Sequence, residues 1–181
     1  MINAMKTTCC FIGHRDIENF SETKEKLKRE ICGLIERGVS RFIFGDHSAF
    51  NDLCYDTITE LKQKYPYIER IKYRKDYQEI SESVRIYFLE GFEDNTCHKG
   101  VAKAGKAAYV ERNRAMITDS DICVFYYNEN YQPKRRKESK RSVCTYQPKS
   151  GTRLAYEFAV RENKEIINLF GQGRDKEKVG F

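Results

Sequence analysis

The 181-residue chain reads as one α/β domain of three layers, α/β/α, built on a mainly parallel sheet of five strands. Short runs of β-branched, aromatic and cysteine residues alternate with longer segments whose apolar residues recur at helical spacing. Glycine or proline stands at several of the switches between them, where one element has to stop. Strands alternating with helices favour parallel pairing, because a right-handed crossover carries each helix over one face of the sheet. No internal repeat and no composition break divides the chain. A single domain over 1–181 is therefore expected, with its core at 7–170 and a tail at 171–181.

Residues 7–12 form the first β-favouring run, closed by Gly13-His14-Arg15. Across 24–37, Leu27, Ile31, Leu34 and Ile35 make one helical stripe, and Gly38 is a natural stop for that helix. The second strand, 41–44, runs into Gly45-Asp46. Over 50–64, Phe50, Leu53, Cys54, Ile58 and Leu61 again share a helical face, and Pro66 forbids continuation. A third strand follows at 68–73, then a weaker helical pattern on Ile80, Val84, Tyr87 and Phe88. Residues 92–107 show little periodicity and read as a connecting loop. A helix at 109–118 and a strand at 121–127 come next. After them stand a long loop over 128–149, a helix at 150–161 and a fifth strand at 165–170.

Composition narrows the function classes. With 40% hydrophobic and 33% charged residues the chain belongs with soluble globular proteins. It lacks the run of about 18 apolar residues that a membrane span needs, so no membrane partner is expected. Residues 1–6 lack the apolar centre of a signal peptide, which points to the cytoplasm. The seven cysteines contain no C-x-x-C pair, and several fall on expected core positions, as reduced cysteines do. Cys97-His98 is the only metal-like pair and has no second pair at a useful spacing, so neither a metal nor another cofactor is expected. The net charge of +6 is local: Lys134, Arg135, Arg136, Lys137, Lys140 and Arg141 against Glu138 contribute +5 of it. Such a run fits one focused basic patch rather than a nucleic-acid-coating surface.

In a doubly wound sheet the ligand sits beyond the carboxyl ends of the strands, where the strand order reverses. An order of 3-2-1-4-5 sets the first strand beside the fourth, so Gly13-His14-Arg15 faces Tyr127 and Asn128. The helix feeding the fourth strand runs antiparallel to it, bringing Arg112, Asn113 and Arg114 to the same edge. The helix after the fourth strand starts there too, at Ser150-Gly151-Thr152. Free N–H groups at such a helix start can hold phosphate, although Ser150 or Thr152 can equally be a simple N-cap. An arginine near a helix start sits badly against the dipole unless an anion or carboxylate is close, so at least one of Arg112 and Arg114 is expected to face the cleft. Arg15 is a second phosphate candidate. His14 reads either as a proton carrier or as a hydrogen-bonded structural residue. Gly45, Asp46, Asn51 and Asp52 either meet ribose hydroxyls or cap the second helix.

These stretches carry a family resemblance. Phe11-Ile12-Gly13-His14-Arg15, Phe44-Gly45 through Leu53-Cys54, residues 107–116 and Pro148-Lys149-Ser150-Gly151-Thr152 together resemble the SLOG superfamily of Rossmann-like domains. That superfamily is named for the DNA-processing Smf/DprA proteins and the Lonely Guy phosphoribohydrolases. The likeness, to an uncharacterised bacterial branch, spans 7–170. It implies a nucleotide or nucleotide derivative held by the first strand's loop and the Gly-Thr loop, and relatives that are often oligomers, hence a possible homodimer. Arg112 matches an arginine that supports N-glycosidic cleavage in the Lonely Guy enzymes. The matching glutamate falls late, at Glu157, and an acid usual after the second strand is replaced by Asn51 with Asp52 beside it. Three readings follow. The first is a nucleotide-binding sensor domain. The second is a phosphoribohydrolase-like enzyme using Arg112 with Glu157 or Asp52. The third is a single-stranded nucleic-acid binder acting through 134–141.

Overall fold

A computed structural model describes residues 7–74, 83, 86, 90–96, 98–132 and 149–171. In chain order its elements are β1 (Thr7–Gly13), α1 (Phe20–Glu36), β2 (Val39–Phe44), α2 (Ala49–Lys62), β3 (Glu69–Tyr73) and β4 (Asp94–Thr96). These are followed by α3 (Lys99–Lys103), a 3-10 turn (Gly105–Ala107), α4 (Ala108–Thr118), β5 (Ile122–Tyr126), α5 (Gly151–Arg161) and β6 (Glu165–Asn168). The strands form one sheet in the order β4-β3-β2-β1-β5-β6, and every neighbouring pair is parallel. The fold is thus α/β with a Rossmann-like layout.

The five expected strands keep their expected relative order, but the sheet has six strands rather than five. The addition is β4, which pairs with β3 through Ile71 and Asp94, Lys72 and Asn95, and Tyr73 and Thr96. It lies within 92–107, a stretch whose sequence suggests only a loop and which also holds α3 and the 3-10 turn. Three polar residues at a sheet edge carry no apolar alternation, so their sequence has no strand signal. Polar pairing holds this edge instead. Glu93 N–H donates to Arg70 O at 2.9 Å, and the Glu93 carboxylate accepts from Arg70 N at 2.6 Å and Nη2 at 2.9 Å.

Side-chain alternation splits the core into two layers. Cys9 and Phe11 of β1 pack with Leu27, Ile31 and Leu34 of α1 and with Phe50, Leu53 and Ile58 of α2. Cys10 and Ile12 point the other way, to Met116 and Ile117 of α4 and Ala155 and Ala159 of α5. Each fully buried large side chain of this kind stabilises the fold by about 2 kcal/mol. Helix α1 begins at Phe20, earlier than its apolar stripe suggests, after Asn19 in the left-handed region at φ 53°. It ends at Glu36, and the chain turns away at Gly38, whose φ of 96° suits glycine.

Among the described residues no helix is long and apolar enough to cross a membrane. The helical pattern on Ile80, Val84, Tyr87 and Phe88, the basic run 134–141 and the tail beyond 171 lie outside the described residues.

Candidate functional site

Parallel pairing brings the carboxyl ends of β2, β1 and β5 to one edge, and β1 is the switch point, because the chain leaves it towards β2 while β5 closes its other side. The starts of α2, α4 and α5 belong to the same edge. At this edge Gly45 faces the α4 layer, and a Cβ placed there would meet Arg112 Cζ and Nη2 at 3.0 Å. Glycine at 45 therefore makes room for a guanidinium.

Arg112 is the most heavily buried charged group of the site, with a relative exposure of 7%. Its Nη2 donates to Asn113 Oδ1 at 2.9 Å, and Nη1 lies 2.8 Å from Asp46 Oδ2. That second contact has the distance of an ion pair but poor hydrogen-bond alignment. Nε and Nη1 are both left without an aligned acceptor. Burial pulls the guanidinium pKa down while Asp46 pushes it back up, and arginine stays charged throughout. The Tyr109 ring lies 5.6 Å from the guanidinium carbon. From the β3 side, Lys72 Nζ donates to Gly45 O at 2.5 Å. Burial lowers the Lys72 pKa, and the nearby Arg112 charge adds to that against the opposing pull of Asp46. Two cations thus flank the end of β2, Arg112 paired with Asp46 and Lys72 bonded to the Gly45 carbonyl. The sequence reading missed Lys72, which looked like one more strand position.

His14 occupies the seam between β1 and β5. Asn128 N–H donates to its Nε2 at 3.0 Å, and the ring is stacked on Tyr131 with centroids 3.9 Å apart. A main-chain N–H can only donate, so Nε2 acts as acceptor and the proton of the neutral ring sits on Nδ1. Nδ1 is buried and has no partner among the described residues. Burial lowers the pKa of His14, keeping it neutral. This is the hydrogen-bonded histidine of the two readings above, with one donor unspent. Tyr127 is pinned by Asn168, which accepts from its N–H and donates to its carbonyl, both at 3.0 Å, and its ring stacks on Tyr156 at 4.5 Å.

Helix α2 opens at Ser48, whose hydroxyl accepts from Asn51 N at 3.2 Å. Asn51 Oδ1 is buried without a donor. Asp52 is exposed and pairs with His47 Nδ1 at 2.9 Å. Gly13 does not open onto a ligand space: a Cβ there would stand 2.4 Å from Phe50 Cδ1, so its bare backbone admits Phe50. Arg15 is exposed, and its carbonyl accepts from Ala49 N at 3.2 Å. At α5, Ser150 is the N-cap and accepts from Arg153 N at 3.1 Å. Gly151 faces open space and Thr152 is buried. Arg114 turns away from the cleft, pairing with Glu111 at 2.8 Å and lying over Phe158. Glu157 is held by Lys149 at 2.8 Å and Arg153 at 3.0 Å, and these cations lower its pKa.

Buried polar atoms normally find partners, so those that do not are informative. His14 Nδ1, Asn51 Oδ1 and Arg112 Nε and Nη1 lack aligned hydrogen bonds among the described residues, and all belong to this carboxyl edge; His98 Nε2, the one other such atom, is ion-paired with Asp119 at 2.7 Å. Set against known proteins, the chain matches no family model and no curated sequence. The site has to be read from its own geometry. A small cavity of about 50 Å³ lies at the same carboxyl edge but on the α1 face, lined by Glu18, Glu22, Lys26 and Tyr126 among others, with Lys26 paired to Glu22. Its carboxylates make it the less suitable place for an anion. No group of three or more His, Cys, Asp or Glu able to hold a metal occurs among the described residues, and Cys97 lies outside them.

Proposed function

We propose that the protein is a cytoplasmic ligand-binding domain that holds a nucleotide or nucleotide derivative at the carboxyl edge of its sheet, acting as a sensor. Phosphate is received by Arg112, Arg15 and the N–H groups at Ser150-Gly151-Thr152. The observation that carries this reading is the clustering of unpartnered buried polar atoms at one edge, led by the charged Arg112. A stable fold tolerates such atoms where a ligand completes them. The resemblance to SLOG domains points to the same ligand class. Four buried free thiols, Cys9, Cys10, Cys54 and Cys123, suit a reducing compartment.

Binding without turnover is favoured over N-glycosidic hydrolysis by the state of the acids. Glu157 is exposed and tied to two cations, and Asp52 is exposed and tied to His47. Neither is enclosed by apolar side chains, as a carboxylate set for acid–base work is. The test is a thermal-shift screen of nucleoside monophosphates, dinucleotides and ADP-ribose-type compounds, with chromatography of every hit. A ligand that binds only the folded state raises the midpoint by mass action. Recovery of the hit intact, and loss of the shift in Arg112→Ala, is the expected result. Free base plus ribose phosphate would make the protein an enzyme. No hit would turn attention to the basic run 134–141 and nucleic acid.

A further inference from the structure

Asp46 follows Gly45 at the end of β2, and its side chain keeps 35% of its exposure while the Arg112 side chain keeps 9%. The pair is unequal: a buried cation is covered by a partly solvated carboxylate on a loop. The contact is short but misaligned, and Arg112 Nε has no acceptor at all. Arg112 is the side chain that holds the Asp46 carboxylate. Lys72 is also close enough to feel Asp46, more strongly than it feels Asp52, so two cations draw on one principal counter-charge. The other charges facing this group are Asp52, already paired with His47, and Arg112 itself. Remove Asp46 and an excess of positive charge remains beside Gly45, from Arg112 and Lys72.

We infer that Asp46 is a resident counter-ion, standing in for an oxyanion that displaces it from Arg112 when ligand binds. This rests on the ligand-binding reading above and adds a role for Asp46 within it: the carboxylate competes with the ligand's phosphate and so sets how tightly the empty site accepts it. Displacement lets the entering oxyanion align with the Nη1 and Nε donors that Asp46 leaves unmet. The freed Asp46 side chain turns to solvent, at little cost because it is already partly hydrated. A ligand whose affinity is reduced by a competing closed state gains it back when that state is removed.

The experiment is calorimetric titration of inorganic phosphate and of adenosine 5′-monophosphate into wild type, Asp46→Asn, Asp46→Ser and Arg112→Ala, with a melting curve for each. Asp46→Asn and Asp46→Ser are expected to bind both probes about ten-fold more tightly than wild type. Without ligand they should melt lower, because Arg112 has lost its carboxylate, and phosphate should restore the midpoint. Arg112→Ala should bind neither probe. If wild type binds and both Asp46 variants bind equally or more weakly, the counter-ion inference is overturned while the ligand site stands. If neither wild type nor the Asp46 variants bind either probe, the inference and the ligand site fall together. Melting curves of the two Asp46 variants show whether each is folded before its affinity is read.

Discussion

The backbone N–H of Asn128 donates to Nε2 of His14 at 3.0 Å, so one hydrogen bond joins the end of β5 to the end of β1 and fixes the histidine's tautomer. The carbonyl of the same Asn128 lies 3.2 Å from Nε2, but the amide, which can only donate, decides the proton's position. Nitrogen-detected NMR of the imidazole should show an unprotonated Nε2 and a protonated Nδ1. A spectrum with the proton on Nε2 would reverse the assignment.

The lowered pKa of His14 has a defined consequence for stability. Below the ordinary value of 6.5 the unfolded chain takes up a proton that the folded one resists, so stability is complete above that pH and is lost as pH falls below it. Melting midpoints are expected to fall between pH 7 and 5, and His14→Gln should flatten that part of the curve. Glutamine can still accept from Asn128 but does not titrate. An unchanged slope in the variant would assign the pH dependence to other groups.

Gly13→Ala places a Cβ 2.4 Å from Phe50 Cδ1, a distance no packed pair adopts. Either Phe50 shifts or β1 does, at a cost of about 2 kcal/mol by the usual penalty for overpacking. Denaturant melts of Gly13→Ala, Phe50→Leu and the double variant form a cycle that isolates the contact. The double variant should be more stable than the sum of the two single losses predicts; strict additivity would mean that Gly13 is needed for another reason.

Gly45→Ala behaves differently because its neighbour is the far end of a long side chain. The added Cβ would meet Arg112 at 3.0 Å, and the guanidinium can give way by a few tenths of an ångström. Stability should change by less than about 1 kcal/mol, whereas phosphate or nucleotide affinity should drop markedly, since Arg112 no longer sits where the anion arrives. Comparing the melting curve with a binding titration separates the two effects.

Glu157→Gln removes a carboxylate held by Lys149 and Arg153 on an exposed helix face. Exposed pairs contribute little, so the melting midpoint should hardly move and nucleotide binding should persist. A loss of binding would bring Glu157 back into the ligand site.

The alternation of elements was legible because it is local. Apolar residues at helical spacing in 24–37 and 50–64, and β-branched runs at 7–12 and 121–127, each announce their own geometry within a few residues. The same logic brought His14, Arg112 and Ser150 to one edge once parallel pairing was assumed. β4 escaped because its pairing is made by backbone and polar groups that any loop also has. Lys72 escaped because the sequence cannot tell which strand lysine turns inward.

Sequence alone therefore determined the relative order of five of the six strands and the edge where a site belongs, since periodicity and connection rules act along the chain. Only the tertiary structure decided what each residue meets there. Arg112 and Arg114 lie two positions apart, about 200° around one helix, and packing sends the first to Asp46 and the second to Phe158. Gly13 and Gly45 look alike as strand-end glycines, yet one accommodates an aromatic ring and the other a guanidinium. Those outcomes depend on which elements face each other across the sheet, and contacts between residues far apart in the chain leave no period in the sequence to read.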